Sequence, residues 1–268
     1  HKGFFKSFPF VNSIKIDNRP KFYNFFEYIK LVKWFKKNNF DWVYDLQTST
    51  RTNIYFFIFS LFKSFKWNGI ANKCSHPHLN KNRINMHTLD RQKEQLKNSG
   101  INAIYNLDWT PLKENSKKFK IKKPYAILVP GASKHRLNKR WDYKNFIEII
   151  KFLSKNKILS VIVGAKHEED ILKKEEKNYD VLNLIGKTTF NDLANISRQA
   201  FLVLGNDTGP MHLLVVCSPL KSLKIVLFGC GSDPKLCAPR GKNVHILRKK
   251  DINQISLLSV KKIIKKKL

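Results

Sequence analysis

Short apolar runs alternate with amphipathic stretches along almost the whole chain. In the second half, Tyr125 to Val129, Ile158 to Val163, Val181 to Leu184, Phe201 to Leu204, Lys224 to Phe228 and Val244 to Leu247 are nearly continuous in apolar residues. Runs of this length predict buried strands. Between them, Tyr143 to Lys155, His167 to Lys177, Phe190 to Arg198 (capped by Thr188 or Thr189), Pro210 to Cys217 and Ile252 to Ile264 carry helical spacing. The first half reads in the same way. Lys21 to Lys37 places Phe22, Phe25, Phe26, Ile29, Val32 and Phe35 on one side of a helix. Val11 to Ile16, Asp41 to Leu46 and Trp67 to Ile70 are strand-like, and Thr50 to Lys63 and His87 to Asn98 are helix-like. From residue 106 the periodicity is lost, with Pro111 and many lysines following. The expected organisation is a first domain over 1–110, a linker over 111–123 and a second domain over 124–268. Strand–helix repetition with apolar strands predicts an α/β fold, its parallel sheets covered on both faces.

In such sheets ligands sit beyond the carboxyl ends of the strands. The polar and glycine-rich segments fall there. They are Pro130-Gly131-Ala132-Ser133, Gly164 to Glu169, Gly186-Lys187-Thr188, Gly205 to His212, and Gly229. The fourth, Gly-Asn-Asp-Thr-Gly-Pro-Met-His, is the most informative. A strand ends, the chain turns at Gly205, and a helix begins near Gly209 or Pro210, with Asp207 or Thr208 as its N-cap. Backbone N–H groups at a helix start form an anion site that the helix dipole strengthens. On local physics alone, Asp207 could equally be only a cap. Lys139, in Lys139-Arg140-Trp141, is a cation placed to reach a phosphate held at such a start, or else part of a basic loop. Glu168 could accept hydrogen bonds from sugar hydroxyls, or be a surface carboxylate in a first helical turn.

Charge changes the list of partners. The chain of 268 residues carries +31 at neutral pH, chiefly from lysine. That excess suits an anionic partner, and an AT-rich genome would also produce it. Zinc-finger spacing, a ribonucleoprotein aromatic motif and an arginine-rich arm are all missing, so no nucleic-acid partner is expected. Cys74, Cys217, Cys230 and Cys237 form no CxxC pair. Their pattern suits a reducing cytoplasm. The longest apolar run, Ile54 to Phe62, is too short to span a bilayer.

The ordered set of Pro-Gly-Ala-Ser, Lys-Arg-Trp, Val-Ile-Val-Gly-Ala with a nearby Glu, Asn-Leu-Ile-Gly-Lys-Thr, Gly-Asn-Asp-Thr-Gly-Pro-Met-His and Val-Leu-Phe-Gly resembles glycosyltransferase family 9, the lipopolysaccharide heptosyltransferase-like enzymes. Phe40 to Gln47 is similar to a strand in the first half of that family. The resemblance implies a GT-B fold of two Rossmann-like domains, the second binding a nucleotide-sugar donor. It implies transfer of a sugar, heptose from ADP-heptose, onto a lipopolysaccharide core or lipid A-type acceptor. It also implies that Lys139 contacts the donor diphosphate and that Glu168 binds the ribose. Thr208 and Gly209 would present the helix start to phosphate, with Ser133 offering a hydroxyl nearby. Asp207 would approach the transferred sugar, and His212 would brace the site. No metal or other cofactor is implied, and no Asp-x-Asp motif occurs.

Two positions depart from the family pattern. Asp142 stands where the family has proline after tryptophan, which changes how the helix starts. The family opens with a strand and a Gly-Asp loop whose aspartate is the general base. Asp17 lacks that context, so the chain is expected to be N-terminally truncated and poor at transfer. Two rival readings remain at this level: another GT-B enzyme acting on a UDP-sugar (a transferase or an epimerase), and a basic nucleic-acid-binding protein. Tyr55, Phe56, Phe57, Phe59 and Phe62 either pack on the first-domain sheet or form a patch that, with nearby lysines, touches anionic lipid. The second alternative would put the protein on the inner face of the inner membrane.

Overall fold

The computed structural model describes residues 2–21, 23–102, 118–119, 121, 124–133, 135–168 and 178–268. The chain divides into two compact units, Lys15–Leu107 and His1–Ile14 with Asp108–Leu268. The expected division at residue 110 therefore differs at its beginning. The aromatic side chains of Phe4 and Phe8 join the core of the larger unit, and Phe4 lies 5.7 Å from Phe190. A short helix α1 (Lys2–Lys6) presents them. Most of the expected linker, 111–123, lies outside the described residues.

In the smaller unit, helix α2 (Phe25–Asn38) leads to strand β1 (Trp42–Tyr44). Helix α3 (Thr50–Ser60) leads to β2 (Lys66–Gly69) and then β3 (His76–Pro77), and helix α4 (Thr88–Lys97) follows. The three strands are parallel, in the order β1-β2-β3. Strand β3 is too short to show a period, so the sequence gives no sign of it. The strand expected at Val11 to Ile16 does not form: residues 11–20 are irregular. Asp17 accepts hydrogen bonds from the Arg19 N–H and the Tyr55 hydroxyl at 2.7 and 3.0 Å. Burial, then the Asp17 bond, pushes the Tyr55 hydroxyl up to about 12. The core of this unit is aromatic, with Phe35 stacked on Phe59 at 4.1 Å.

The larger unit is the clearer case of pattern becoming structure. Strands β4 (Tyr125–Val129), β5 (Leu159–Ile162), β6 (Val181–Asn183), β7 (Leu202–Asn206), β8 (Leu223–Phe228) and β9 (Val244–Arg248) form one sheet. All are parallel, in the order β6-β5-β4-β7-β8-β9. Numbered within the unit this is 3-2-1-4-5-6, the dinucleotide-binding order, whose reversal point lies between β4 and β7. Helices α5 (Tyr143–Lys155), α6 (Phe190–Ser197), α7 (Gly209–Cys217) and α9 (Leu257–Lys265) accompany it, with a one-turn α8 (Pro234–Cys237). The two faces carry separate buried clusters. Ile127, Val203, Met211 and Phe228 belong to one; Leu128, Phe146, Leu204 and Leu227 belong to the other.

Local chemistry sets the helix ends. Thr189 and Asp192 form a capping box at α6. Asp142 caps α5 by accepting from the Lys144 N–H, so a carboxylate replaces the proline of the family pattern. The helix expected over Ile252 to Ile264 is broken: a 3₁₀ turn at Ile252–Gln254 precedes α9, which is capped by Ser256. Of the helix expected over His167 to Lys177, residues 166–168 form a 3₁₀ turn and 169–177 lie outside the described residues.

Candidate functional site

At the reversal point the chain must leave β4 and β7 in opposite directions, which opens a crevice between their ends. Asn206, fully buried, holds this point together. Its amide donates to the carbonyls of Pro130 at 2.7 Å and Gly131 at 3.3 Å, and its oxygen accepts from the Trp141 N–H at 3.2 Å. Gly205 is required just before it, because a Cβ there would lie 2.5 Å from the Val129 Cβ. Trp141 is buried and donates its indole N–H to the Ile255 carbonyl at 3.0 Å. The Lys139-Arg140-Trp141 segment is thus fixed from behind.

In front of these groups lies a cavity of about 680 Å³. Ser133, Lys139, Glu168, Asp207, Thr208, Gly209 and His212 all line it, so the seven residues expected to form the donor site meet in one place, whereas Lys187, Thr188 and Gly229 of the other two strand-end loops are not among its lining residues. Asp207 is its hub, only 6% exposed. The Lys139 ammonium lies 2.7 Å from Oδ2, the Ser232 hydroxyl donates to the same oxygen, and His212 Nε2 is 3.2 Å from Oδ1. Burial alone would raise the carboxyl pKa. The hydrogen bonds from His212, Lys139 and Ser232 outweigh it and hold the group well below the ordinary carboxylate range.

Thr208 is the N-cap of α7, with extended backbone, but its hydroxyl does not close the cap. Thr208 Oγ1 is buried and has no protein partner. A Cβ at Gly209 would meet nothing within 4 Å, so the first turn opens onto the cavity. Helix-start N–H groups lack intrahelical acceptors, and here Thr208, Gly209 and Pro210 of the helix start line the cavity.

Glu168 is a buried group, 4% exposed, which overturns the surface-carboxylate alternative. Its Oε1 accepts from the Ala132 N–H at 3.0 Å and its Oε2 from the Ala165 N–H at 2.8 Å. It therefore ties the loop after β4 to the loop after β5. Gly131 and Gly164 make room for it: a Cβ at either would collide with the carboxylate. Arg140 Nη2 and His167 Nε2 stand 3.9 and 3.8 Å from Oε1.

Ser232, Arg136 and Cys237 also line the cavity, and the sequence reading missed them. No local pattern marks Ser232; only its distance to Asp207, 25 residues away in the chain, does. Among the described residues no cluster of three His, Cys, Asp or Glu could hold a metal ion, and no helix is long and apolar enough to cross a membrane.

A six-stranded parallel sheet in the order 3-2-1-4-5-6, with a cavity at its reversal point, defines an α/β protein of the doubly wound, Rossmann-like class. The model of glycosyltransferase family 9 (heptosyltransferase) matches residues 28–267, and the chain belongs to that family. Lipopolysaccharide heptosyltransferase 1 of Salmonella typhimurium is 28% identical over 121 residues, which is 45% of this chain and 36% of the relative. Lipooligosaccharide heptosyltransferase 2 of Campylobacter jejuni is 32% identical over 107 residues, 38% of this chain and 32% of the relative. The aligned stretches thus span about a third of those relatives' length. Among solved structures, ADP-heptose lipopolysaccharide heptosyltransferase II of E. coli superposes with a TM-score of 0.71 at 16% identity, covering 91% of this chain and 81% of that one. The family 9 glycosyltransferase of Veillonella parvula gives 0.73 at 15% identity, covering 98% and 85%. E. coli heptosyltransferase WaaC with ADP gives 0.69 at 21% identity, covering 90% and 78%. The fold is therefore the GT-B fold of these heptosyltransferases.

Proposed function

We propose that this protein binds a nucleotide-sugar donor, ADP-heptose, in the cavity at the β4–β7 reversal point and serves heptose transfer to a lipopolysaccharide core precursor. The observation that carries the reading is the Lys139–Asp207 pair beside the open start of α7. Lys139 meets the diphosphate, and the Thr208 hydroxyl and the first-turn N–H groups receive a phosphate oxygen. Each carboxylate oxygen of Glu168 keeps a lone pair beyond its backbone bond, which suits the ribose hydroxyls. His212 and Asp207 face the sugar side. The negative charge that grows on the departing diphosphate is balanced by the Lys139 ammonium and the helix start, groups already in place. The names of the similar proteins support the choice of heptose and of ADP.

Calorimetric titration with ADP-heptose, ADP and UDP-N-acetylglucosamine tests this. Selective binding of the ADP compounds, weakened by Lys139→Ala and Asp207→Ala, is the expected result. Preference for the UDP-sugar would keep the site and change the reaction. Failure of a folded sample to bind any of the three would refute the donor reading.

A peripheral contact with anionic membrane is proposed for the smaller unit. Tyr55 and Phe59 pack inward, whereas Ile54, Phe57 and Leu61 recur at helical spacing on the exposed side of α3 and its C-cap. Phe57 and Leu61 are 65% and 66% exposed, and the Lys36 ammonium lies over the Phe62 ring. Apolar side chains flanked by lysines suit an interface with acidic lipid. Flotation with anionic liposomes is expected to carry the protein upward at low salt, and Phe57→Ser with Leu61→Ser to abolish it.

A further inference from the structure

The loop after β8 is packed closely on the segment that carries Lys139. A Cβ at Gly229 would lie 2.7 Å from the Asn138 carbonyl oxygen, and one at Gly231 would lie 2.9 Å from Lys139 Cγ. Arg136 Nη1 donates to the Gly231 carbonyl at 3.3 Å, and the Asn138 amide reaches Cys230 Sγ at 3.7 Å. Glycine at 229 and 231 lets the two backbones approach. The approach brings the Ser232 hydroxyl onto Asp207 Oδ2, the oxygen that also receives the Lys139 ammonium.

We propose that Ser232 is a positioning residue of the donor site, holding the Asp207 carboxylate in place while the Lys139 ammonium turns toward a bound diphosphate. The inference rests on the donor reading above. In the structure Oδ2 receives two donors and Oδ1 faces His212 Nε2. A diphosphate at the start of α7 competes for the ammonium. Once the ammonium turns, Oδ2 would lose its cation in a site that is 6% exposed, and a buried carboxylate oxygen without a donor is costly. The Ser232 hydroxyl remains on it throughout. It carries no charge and so does not compete with Lys139 for the phosphate. The glycines on its N-terminal side set the distance.

The test is ADP titration of wild type, Ser232→Ala, Ser232→Thr and Gly231→Ala across the acidic range, with a thermal melt of each to establish folding. Ser232→Ala is expected to bind ADP roughly 10-fold more weakly near neutral pH, and the deficit is expected to shrink as acid protonates the Asp207 carboxyl, because a neutral carboxyl no longer needs the donor. Ser232→Thr keeps the hydroxyl and is expected to restore wild-type affinity. Gly231→Ala displaces the Lys139 stem and is expected to weaken ADP binding in a folded protein. A purely structural role for the loop would shift the melt and leave the ratio of the wild-type and Ser232→Ala affinities independent of pH. Wild-type affinity in Ser232→Ala, or a deficit that does not change with pH, would overturn the proposal. Absence of ADP binding by the wild type would instead sink the donor reading, and this inference with it.

Discussion

Lys139 and Asp207 lie 68 residues apart in the chain, yet their charged atoms meet at 2.7 Å with both side chains largely withdrawn from solvent. A cation on the turn before α5 and an anion on the turn after β7 become one unit because β4 and β7 are neighbours in the sheet. The site is this pair together with what grips its anion.

Removing one partner should therefore cost more than removing both. Lys139→Met leaves a buried carboxylate with hydroxyl and imidazole partners only, and is expected to destabilise the protein by about 3 kcal/mol. The double variant Lys139→Met with Asp207→Leu is expected to recover part of that loss. Urea denaturation of the four proteins of the cycle measures it, and strict additivity would show that the pair is not coupled.

The depressed pKa of Asp207 has a signed consequence for acid stability. In the unfolded chain the carboxyl titrates near about 4; in the folded protein it titrates lower. Its contribution is therefore complete above about pH 4 and is lost as the pH falls from there through the folded value. The stability difference between wild type and Asp207→Asn is expected to be largest near neutrality and to shrink below about pH 4. Denaturation midpoints at several pH values would record this; a constant difference would contradict it.

Glu168 ties two loops through backbone N–H groups, so charge is not its main structural asset. Glu168→Ala leaves the N–H groups of Ala132 and Ala165 without their acceptors and is expected to cost about 2 kcal/mol. Glu168→Gln keeps one acceptor oxygen and is expected to cost less. Gly131→Ala drives a methyl group into the same carboxylate and is expected to resemble Glu168→Ala. Thermal melts rank the three, and a harmless Gly131→Ala would be inconsistent with this packing.

Trp141 anchors the Lys139 segment from the core side. It is 1% exposed and packs edge-on against Phe146 with ring centroids 5.3 Å apart. Trp141→Ala is expected to destabilise by about 4 kcal/mol. Trp141→Phe should lose less, chiefly the bond to the Ile255 carbonyl. Chemical denaturation separates the two.

Much of the larger unit was legible from its pattern. Tyr125–Val129 and Tyr143–Lys155 begin and end where their apolar spacing begins and ends. That the seven expected residues would share one cavity was also legible, because polar residues and glycines after apolar strands stand out, and the parallel-sheet rule gathers such loops on one rim. The smaller unit was less so. Val11 to Ile16 alternates like a strand, yet a strand needs a neighbour to pair with, and a single chain segment cannot state whether it has one. The two residues of β3 are strand only because β2 lies beside them.

The sequence by itself determined the periods, the turn chemistry and the residue types at the strand ends, since these depend on neighbours a few positions apart. Tertiary structure decided which charges meet. Strand order made Asp207 a shared acceptor for Lys139, His212 and Ser232, buried Glu168 between two glycines, and left the Thr208 hydroxyl unpartnered at a helix start. Those relations are distances between residues far apart in the chain, and only the paired sheet brings such residues together.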